Sequence, residues 1–193
     1  MKTMNLYNKI ALPALVSLAL IFGPFLMTTS DARTKTAKEI NAEVDRALVL
    51  FQHQVKGGKE LLNSAKGVLV IPNVTKAGLI LGGEYGEGAL RIGGKTVAYY
   101  NIAGGSTGFE IGAEKKDLVL IFMQEEALNH FRTSSDWSAG VDAAVTYIDT
   151  GKEKYADNFT VKDPVVAFVF GERGLMVDAS VEGVKFSKME KEG

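Results

Sequence analysis

The stretch Gly82–Thr96 reads GGEYGEGALRIGGKT, and its interpretation decides the fold. It ends like a phosphate-binding loop, but a P-loop has the pattern G-x-x-x-x-G-K-[ST] before a helix, and Ala89 stands where the first glycine is required. Val97–Asn101 continues as a β-branched and aromatic run, which predicts a strand and leaves no helix N-terminus to face a phosphate. The glycines therefore predict bent extended backbone, and we expect no nucleotide to bind here.

The glycines of this stretch have separate geometric explanations. Gly93 and Gly94 lie between the runs ALRI and TVAYY, where they predict the two-residue turn of a β-hairpin, which requires positive φ. The preceding glycines predict bends, bulges or close backbone approach in a strongly curved sheet. They are Gly82, Gly83, Gly86 and Gly88.

Short runs rich in Val, Ile, Phe and Tyr surround this stretch, each bounded by Gly, Pro, Asn or Asp, and this pattern predicts strands. The runs are GVLVIP, AGLILG, ALRI, TVAYYNI, TGFEIGAE, DLVLIFM, SAGVDAAVTYI, PVVAFVFG, GLMVDAS and EGVKFS. One segment, QEEALNHFRTS, instead predicts a short helix with Ala127, Leu128 and Phe131 on one side. The fold class is therefore α+β, a curved antiparallel or barrel-like sheet with one short inserted helix.

An amphipathic helix is predicted before the first strand, in TAKEINAEVDRALVLFQHQV. Thr36 and Glu39 have the spacing of a capping box, in which each side chain satisfies a free backbone N–H at the helix start. Gly57 and Gly58 end this helix, and a second helical turn is expected at residues 59–63. The three-four spacing of one helix face is shared by Ala37, Ile40, Val44, Ala47, Leu48, Phe51 and Val55.

Residues 1–32 have the order of a secretory signal peptide: two lysines, the uncharged run IALPALVSLALIFGPFLM, and small residues before a cut after Ala32. The alternative is an uncleaved membrane anchor at residues 10–27. Both predict export, to the periplasm or the extracellular space. Because the chain has no cysteine, disulfides, thiolate zinc sites and lipoprotein acylation are excluded.

The chain of 193 residues is expected to hold one folded domain. We predict a signal peptide at 1–32, an N-terminal helical segment at 33–64, a β-rich domain at 65–188 that folds as one unit with that segment, and a charged tail at 189–193. The formal net charge of −1 provides no global attraction to nucleic acid.

No catalytic or metal-binding sequence motif is complete in this chain. Ser106 lies in a G-x-S-x-G-like stretch that continues as a strand and lacks the required helix. His53 and His130 have no ligand spacing. The carboxylates near strands are interpreted as the solvated face of a half-buried sheet; they are Glu84, Glu87, Glu110, Glu114, Asp142 and Asp178. We therefore expect a protein that is not an enzyme, with no catalytic residues, no metal and no cofactor.

A modest basic cluster flanks the end of the first helix and the run VLVIP. Its members are Lys56, Lys59, Lys66 and Lys76. Lysines beside apolar side chains such as Leu48 and Phe51 suit contact with anionic lipid headgroups. Two alternatives stay open at this point: the lysines form an ordinary solvated face, and the apolar stripe of the helix is buried in the core.

The region from about Ala65 to Lys188 resembles the SYLF or Ysc84-like domain family. The resemblance depends on an ordered set of motifs: AKGV from Ala65, GG-x-x-G-x-G from Gly82, Tyr100-Asn101, Phe122-Met123, W-x-x-G-V-D from Trp137, Gly174-Leu175 and Glu182-Gly183. It implies a non-enzymatic lipid-binding domain, with phosphoinositide binding in eukaryotic members and actin binding in fungal members. The SH3 or FYVE module that accompanies the domain in eukaryotes is not found in this sequence.

We therefore predict a lipid- or phospholipid-binding protein of the bacterial cell envelope that acts at a membrane surface. The expected partner is an anionic phospholipid or a membrane surface, with no nucleic acid and no nucleotide. The predicted lipid-binding residues are Lys56, Lys59, Lys66, Lys76, Phe51 and Leu48. The alternative is a structural or assembly module of the envelope that binds another protein.

Overall fold

The computed structural model describes residues 34–77, 81–107, 115–148, 163–171, 174–175 and 184–191. In this part of the chain there are three helices: α1 (Ala37–Gln54), α2 (Gly58–Ser64) and α3 (Glu125–Thr133). Nine strands are described: β1 (Gly67–Ala77), β2 (Leu81–Ile92), β3 (Lys95–Thr107), β4 (Lys115–Phe122), β5 (Asp136–Ser138), β6 (Val145–Ile148), β7 (Val165–Gly171), β8 (Gly174–Leu175) and β9 (Lys185–Met189).

Helix α1 begins at the predicted capping box. The Glu39 backbone N–H donates to the Thr36 hydroxyl at 3.3 Å, and the Thr36 N–H donates to the Glu39 carboxylate at 2.8 Å. The helix ends where the Val55 N–H donates to the Phe51 carbonyl, just before Gly57 takes a left-handed φ of 76°. The predicted boundaries of α1 are therefore confirmed, and α2 follows as expected.

The strands form one sheet in the order β5-β9-β3-β2-β1-β4-β7-β6, with β8 paired to β7. Alternating residues of the central strands point to opposite faces, and both faces are buried. Leu69 and Ile71 belong to a core with α3, whereas Val68 and Val70 belong to a core with α1. This arrangement explains why β1, β4 and β7 read as continuous apolar runs.

The sheet is strongly curled, because its two terminal strands are joined by only six residues. Eight strands laid flat would separate β5 from β6 by roughly 34 Å at about 4.8 Å per strand. The seven steps from Ser138 to Val145 reach at most about 25 Å, and the link is shortened further by a bridge between Ala139 and Ala143. The predicted α+β fold with a curved, barrel-like sheet is confirmed.

The predictions for the hairpin glycines and for Gly88 are confirmed. Gly93 and Gly94 form a two-residue turn with φ of 57° and 77° between the paired residues Ile92 and Lys95. Gly88 lies so close to β1 that an added Cβ would be 1.9 Å from the Val70 carbonyl oxygen. Its lack of a side chain therefore lets β1 and β2 approach closely.

Two strand predictions require comment. The run SAGVDAAVTYI, predicted as one strand, is interrupted by a turn at residues 139–144, since Asp142 accepts a hydrogen bond from the Ser138 N–H at 2.6 Å. The run TGFEIGAE lies outside the described residues apart from Thr107, as do residues 1–32. No helix in the described ranges is both long and apolar enough to cross a membrane.

Candidate functional site

Three of the predicted lipid-binding lysines lie at the corner between α1, α2 and β1. Lys56, Lys59 and Lys66 are all exposed. Among the described residues, no carboxylate forms an ion pair with any of them. We call these three side chains the basic corner. Their charges are available to a ligand in solution.

Apolar side chains lie beside the basic corner. Leu61 and Leu62 of α2 are half-buried and pack against the core under α1. Two contacts hold the corner in place. Gly58 lies so close to the Phe51 ring that an added Cβ would be 3.2 Å from it. The Lys66 backbone N–H donates to the Phe122 carbonyl at 2.8 Å. The lysines therefore project from a fixed part of the fold.

The apolar stripe of α1 is buried in the core. Phe51 has no exposed surface and meets Phe168 edge to face with ring centroids 4.9 Å apart. Leu48 is half-buried against the same core. In this structure the stripe packs in the core, which was the alternative left open by the sequence, and the Phe51 ring is fully buried. Lys76 lies in β1 opposite Glu84, and its side chain is outside the description.

Polar contacts fix α1 on the sheet. Asn41 accepts from the Thr96 hydroxyl at 2.7 Å and donates to the Tyr99 hydroxyl at 2.9 Å. Arg91 pairs with Asp45 at 2.7 Å. These contacts lie at the N-terminal half of α1, so the helix is tied to β2 and β3 by polar groups and to β7 by aromatic packing.

Two carboxylates that the sequence assigned to a solvated face are largely withdrawn from solvent, and that interpretation was wrong for them. Glu87 is buried, with 3% of its surface exposed. Glu84 is half-buried and pairs with Lys116 at 2.8 Å, with side-chain exposures of 9% and 13%. Each carboxylate can leave solvent because it meets a cation or several donors from elsewhere in the chain, and strand alternation does not reveal these contacts.

The Tyr85 hydroxyl donates to Glu87 at 2.7 Å. Although 52% of Tyr85 is exposed, its polar end lies against the buried carboxylate, so desolvation and then this hydrogen bond raise the pKa of Tyr85 to about 12. An unfolded tyrosine ionises near a pKa of about 10.

We expect Tyr85 to lower the stability at alkaline pH. Between about pH 10 and 12 the unfolded chain loses the phenolic proton while the folded chain keeps it, so the free energy of unfolding falls as the pH rises. Ultraviolet absorbance titration should include a phenol that ionises near pH 12 and belongs to Tyr85. Tyr85→Phe should remove this phenol, and Glu87→Gln should move its pKa toward 10. An unchanged titration curve for Tyr85→Phe would contradict the assignment.

An open groove of about 580 Å³ lies along α3. Its lining is Gln124, Glu126, Ala127, Asn129, His130, Thr133, Asp142, Ala143 and Pro164. Val141, at the tip of the adjoining turn, is 78% exposed. Within the described ranges no three His, Asp or Glu side chains come together as metal ligands.

The fold and the exposed lysines define a small α+β domain whose candidate site is a surface. Residues 103–192 match the Ysc84 family, described as Las17-binding protein actin regulator. The match agrees with the resemblance found in the sequence and covers slightly less than half of the chain.

A curated relative is similar to most of the chain. It is named Beta cell expansion factor A, from Aeromonas veronii, and is 28% identical over 158 residues. The match covers 79% of this chain and 58% of the relative, so the chain spans less than two thirds of that protein's length.

Proposed function

We propose that this protein binds anionic phospholipid at a membrane surface in the bacterial cell envelope, without enzymatic activity. The observation that carries the proposal is the basic corner: three exposed lysines, without an ion-pair partner among the described residues, beside the half-buried Leu61 and Leu62. Each lysine near an anionic surface contributes about 1 kcal/mol. The match of residues 103–192 to the Ysc84 family and the signal-like segment at residues 1–32 support the proposed location in the envelope.

The corner suits a surface contact better than a deep cavity. The lysines stand on the outside of the α1–α2 junction, and the apolar face of α1 is occupied by the sheet. Burying Ile40, Val44 and Phe51 contributes roughly 1.5–3 kcal/mol for each side chain. Lifting α1 to contact lipid would cost a large share of the stability of a domain, about 5–15 kcal/mol. Lipid contact is therefore assigned to the lysines, with α1 remaining in place.

Removal of the three charges should weaken binding to anionic vesicles. We expect the triple change Lys56→Gln, Lys59→Gln and Lys66→Gln to reduce the affinity for phosphatidylglycerol vesicles by about 100-fold, since three contributions of about 1 kcal/mol are lost. Binding is measured by co-sedimentation at fixed low salt, because screening weakens surface attraction.

A control variant carries the same change of charge at exposed lysines elsewhere: Lys38→Gln, Lys95→Gln and Lys188→Gln. We expect its affinity to fall much less. Equal losses in both variants would show that net charge alone attracts the protein. Failure of the unchanged protein to bind either phosphatidylglycerol or phosphatidylcholine vesicles would end the lipid proposal.

A second candidate function is a module that binds another protein of the envelope. The groove along α3 and the exposed Val141 beside it favour this alternative. In the turn that presents Val141, Gly140 adopts φ 79° and the Ser138 N–H donates to the Asp142 carboxylate. If a protein partner is found by cross-linking, we expect Val141→Asp to abolish binding of that partner and to leave vesicle binding unchanged.

A further inference from the structure

The two ends of the described chain meet at a buried carboxylate. Glu87 of β2 is 3% exposed and receives three donors. They are the Tyr85 hydroxyl at 2.7 Å, the Lys35 backbone N–H at 3.2 Å and the Lys191 ammonium at 3.4 Å. Lys35 precedes α1, and Lys191 follows β9, so residues from both ends contact one side chain of a central strand.

Lys191 also contacts the N-terminal segment directly. Its ammonium donates to the Lys35 backbone carbonyl at 2.8 Å, and its side chain is only 8% exposed. The Lys35 ammonium is used elsewhere, in a pair with Glu43. Among the described residues, Lys191 is therefore the cation that balances Glu87. The sequence predicted only a charged tail at 189–193 and gave no sign of this contact.

We propose that Lys191 is a clasp that holds the segment before α1 against β2, so that loss of the C-terminal residues opens the N-terminal end of the domain. A buried carboxylate that loses its cation must be rehydrated. Water would reach Glu87 by displacing Lys35, whose backbone N–H is hydrogen-bonded to the carboxylate. The opening stays local, since the aromatic contacts of Phe51 lie at the far end of α1.

The clasp couples processing of the two ends. Cleavage that removes Lys191 would loosen the residues before α1 and make them a better protease substrate than they are in the clasped domain. This device concerns the integrity of the domain and does not depend on lipid binding.

The test is hydrogen exchange on protein purified from cells expressing the full chain, with its N-terminus determined by mass spectrometry. The reporting amides are those of Lys35, Thr36, Glu39 and Ile40, which are hydrogen-bonded at the start of the helix. Lys191→Met should increase their exchange about tenfold or more, the scale of one lost charged hydrogen bond. The Val55 amide at the other end of α1 should be unchanged.

A charge cycle separates a clasp from simple loss of packing. Lys191→Met with Glu87→Gln leaves no unpaired charge, so exchange at the helix start should be slower than in Lys191→Met alone. Lys188 is an exposed lysine two residues before Glu190, so Lys188→Met serves as the matched control. Its hydrogen exchange at the helix start should equal that of the unchanged protein. Unchanged exchange in Lys191→Met, equal acceleration at Val55, or no recovery in the double variant would each overturn the proposal.

Discussion

Gly88→Ala is expected to leave the protein largely unfolded. An added Cβ would lie 1.9 Å from the Val70 carbonyl oxygen and 2.8 Å from the Ile71 Cα, and both atoms belong to the backbone of the central strand β1. Backbone cannot swing aside as a side chain can, so β1 and β2 would have to separate between the two cores. We expect a loss above about 4 kcal/mol, which approaches the whole stability of a typical domain. Urea unfolding followed by circular dichroism measures the loss.

Two neighbouring glycines provide a graded control on the same strand. At Gly83 the nearest atom to an added Cβ is 3.9 Å away, so Gly83→Ala should change the free energy of unfolding by less than about 0.5 kcal/mol. At Gly86 the nearest atom is the Ile71 Cγ2 at 2.7 Å, a side-chain atom that can move, so an intermediate loss is expected. A Gly88→Ala protein as stable as Gly83→Ala would refute the close approach of the two strands.

The sequence predicts the features that depend on neighbouring residues. The capping box of α1, the paired glycines of the β2–β3 hairpin and the short helix α3 are each encoded within a few positions, and each is confirmed. The apolar runs of β1, β4 and β7 also predict strands. A single run cannot reveal its place in the sheet order, because pairing joins residues far apart in sequence.

The bulge of β1 could not be predicted from rules that relate neighbouring residues to local structure. Pro72 lies in a central strand, where proline is tolerated mainly at a bulge. Asn73 adopts φ 54°, and its N–H donates to Asp117 of β4 at 2.8 Å. The register of β1 shifts between Ile71 and Val74 as a result. The partner that stabilises this irregularity is 44 positions away, so the sequence pattern gives no sign of it.

The candidate site was predicted in part. The lysines of the basic corner were identified from their positions around the end of the first helix and the start of the first strand, and the structure places them on the surface. The network of Glu87, Lys35 and Lys191 was missed because it joins residues separated by 52 and 104 positions. The only local signal was a glutamate flanked by Gly86 and Gly88 in a strand whose neighbours approach closely.

The burial of Phe51 leads to the second large expected effect. We expect Phe51→Ala to lower the free energy of unfolding by about 3–5 kcal/mol, the cost of removing a fully buried aromatic side chain. The ring contacts Phe168 and Phe170, with centroids 4.9 Å and 5.9 Å away, and also packs under the α1–α2 corner at Gly58. The higher helix propensity of alanine recovers less than about 1 kcal/mol of this loss.

Val49→Ala is the matched control, because Val49 lies on the same helix and is 55% exposed. Its free energy of unfolding should change by about 0.5 kcal/mol or less. Vesicle binding, measured well below the melting temperature of each variant, should be similar for Phe51→Ala and Val49→Ala, since the lysines of the basic corner remain. Lost vesicle binding in Phe51→Ala with stability unchanged would instead show that the ring contacts lipid, which requires α1 to leave the sheet and contradicts the packing argued above.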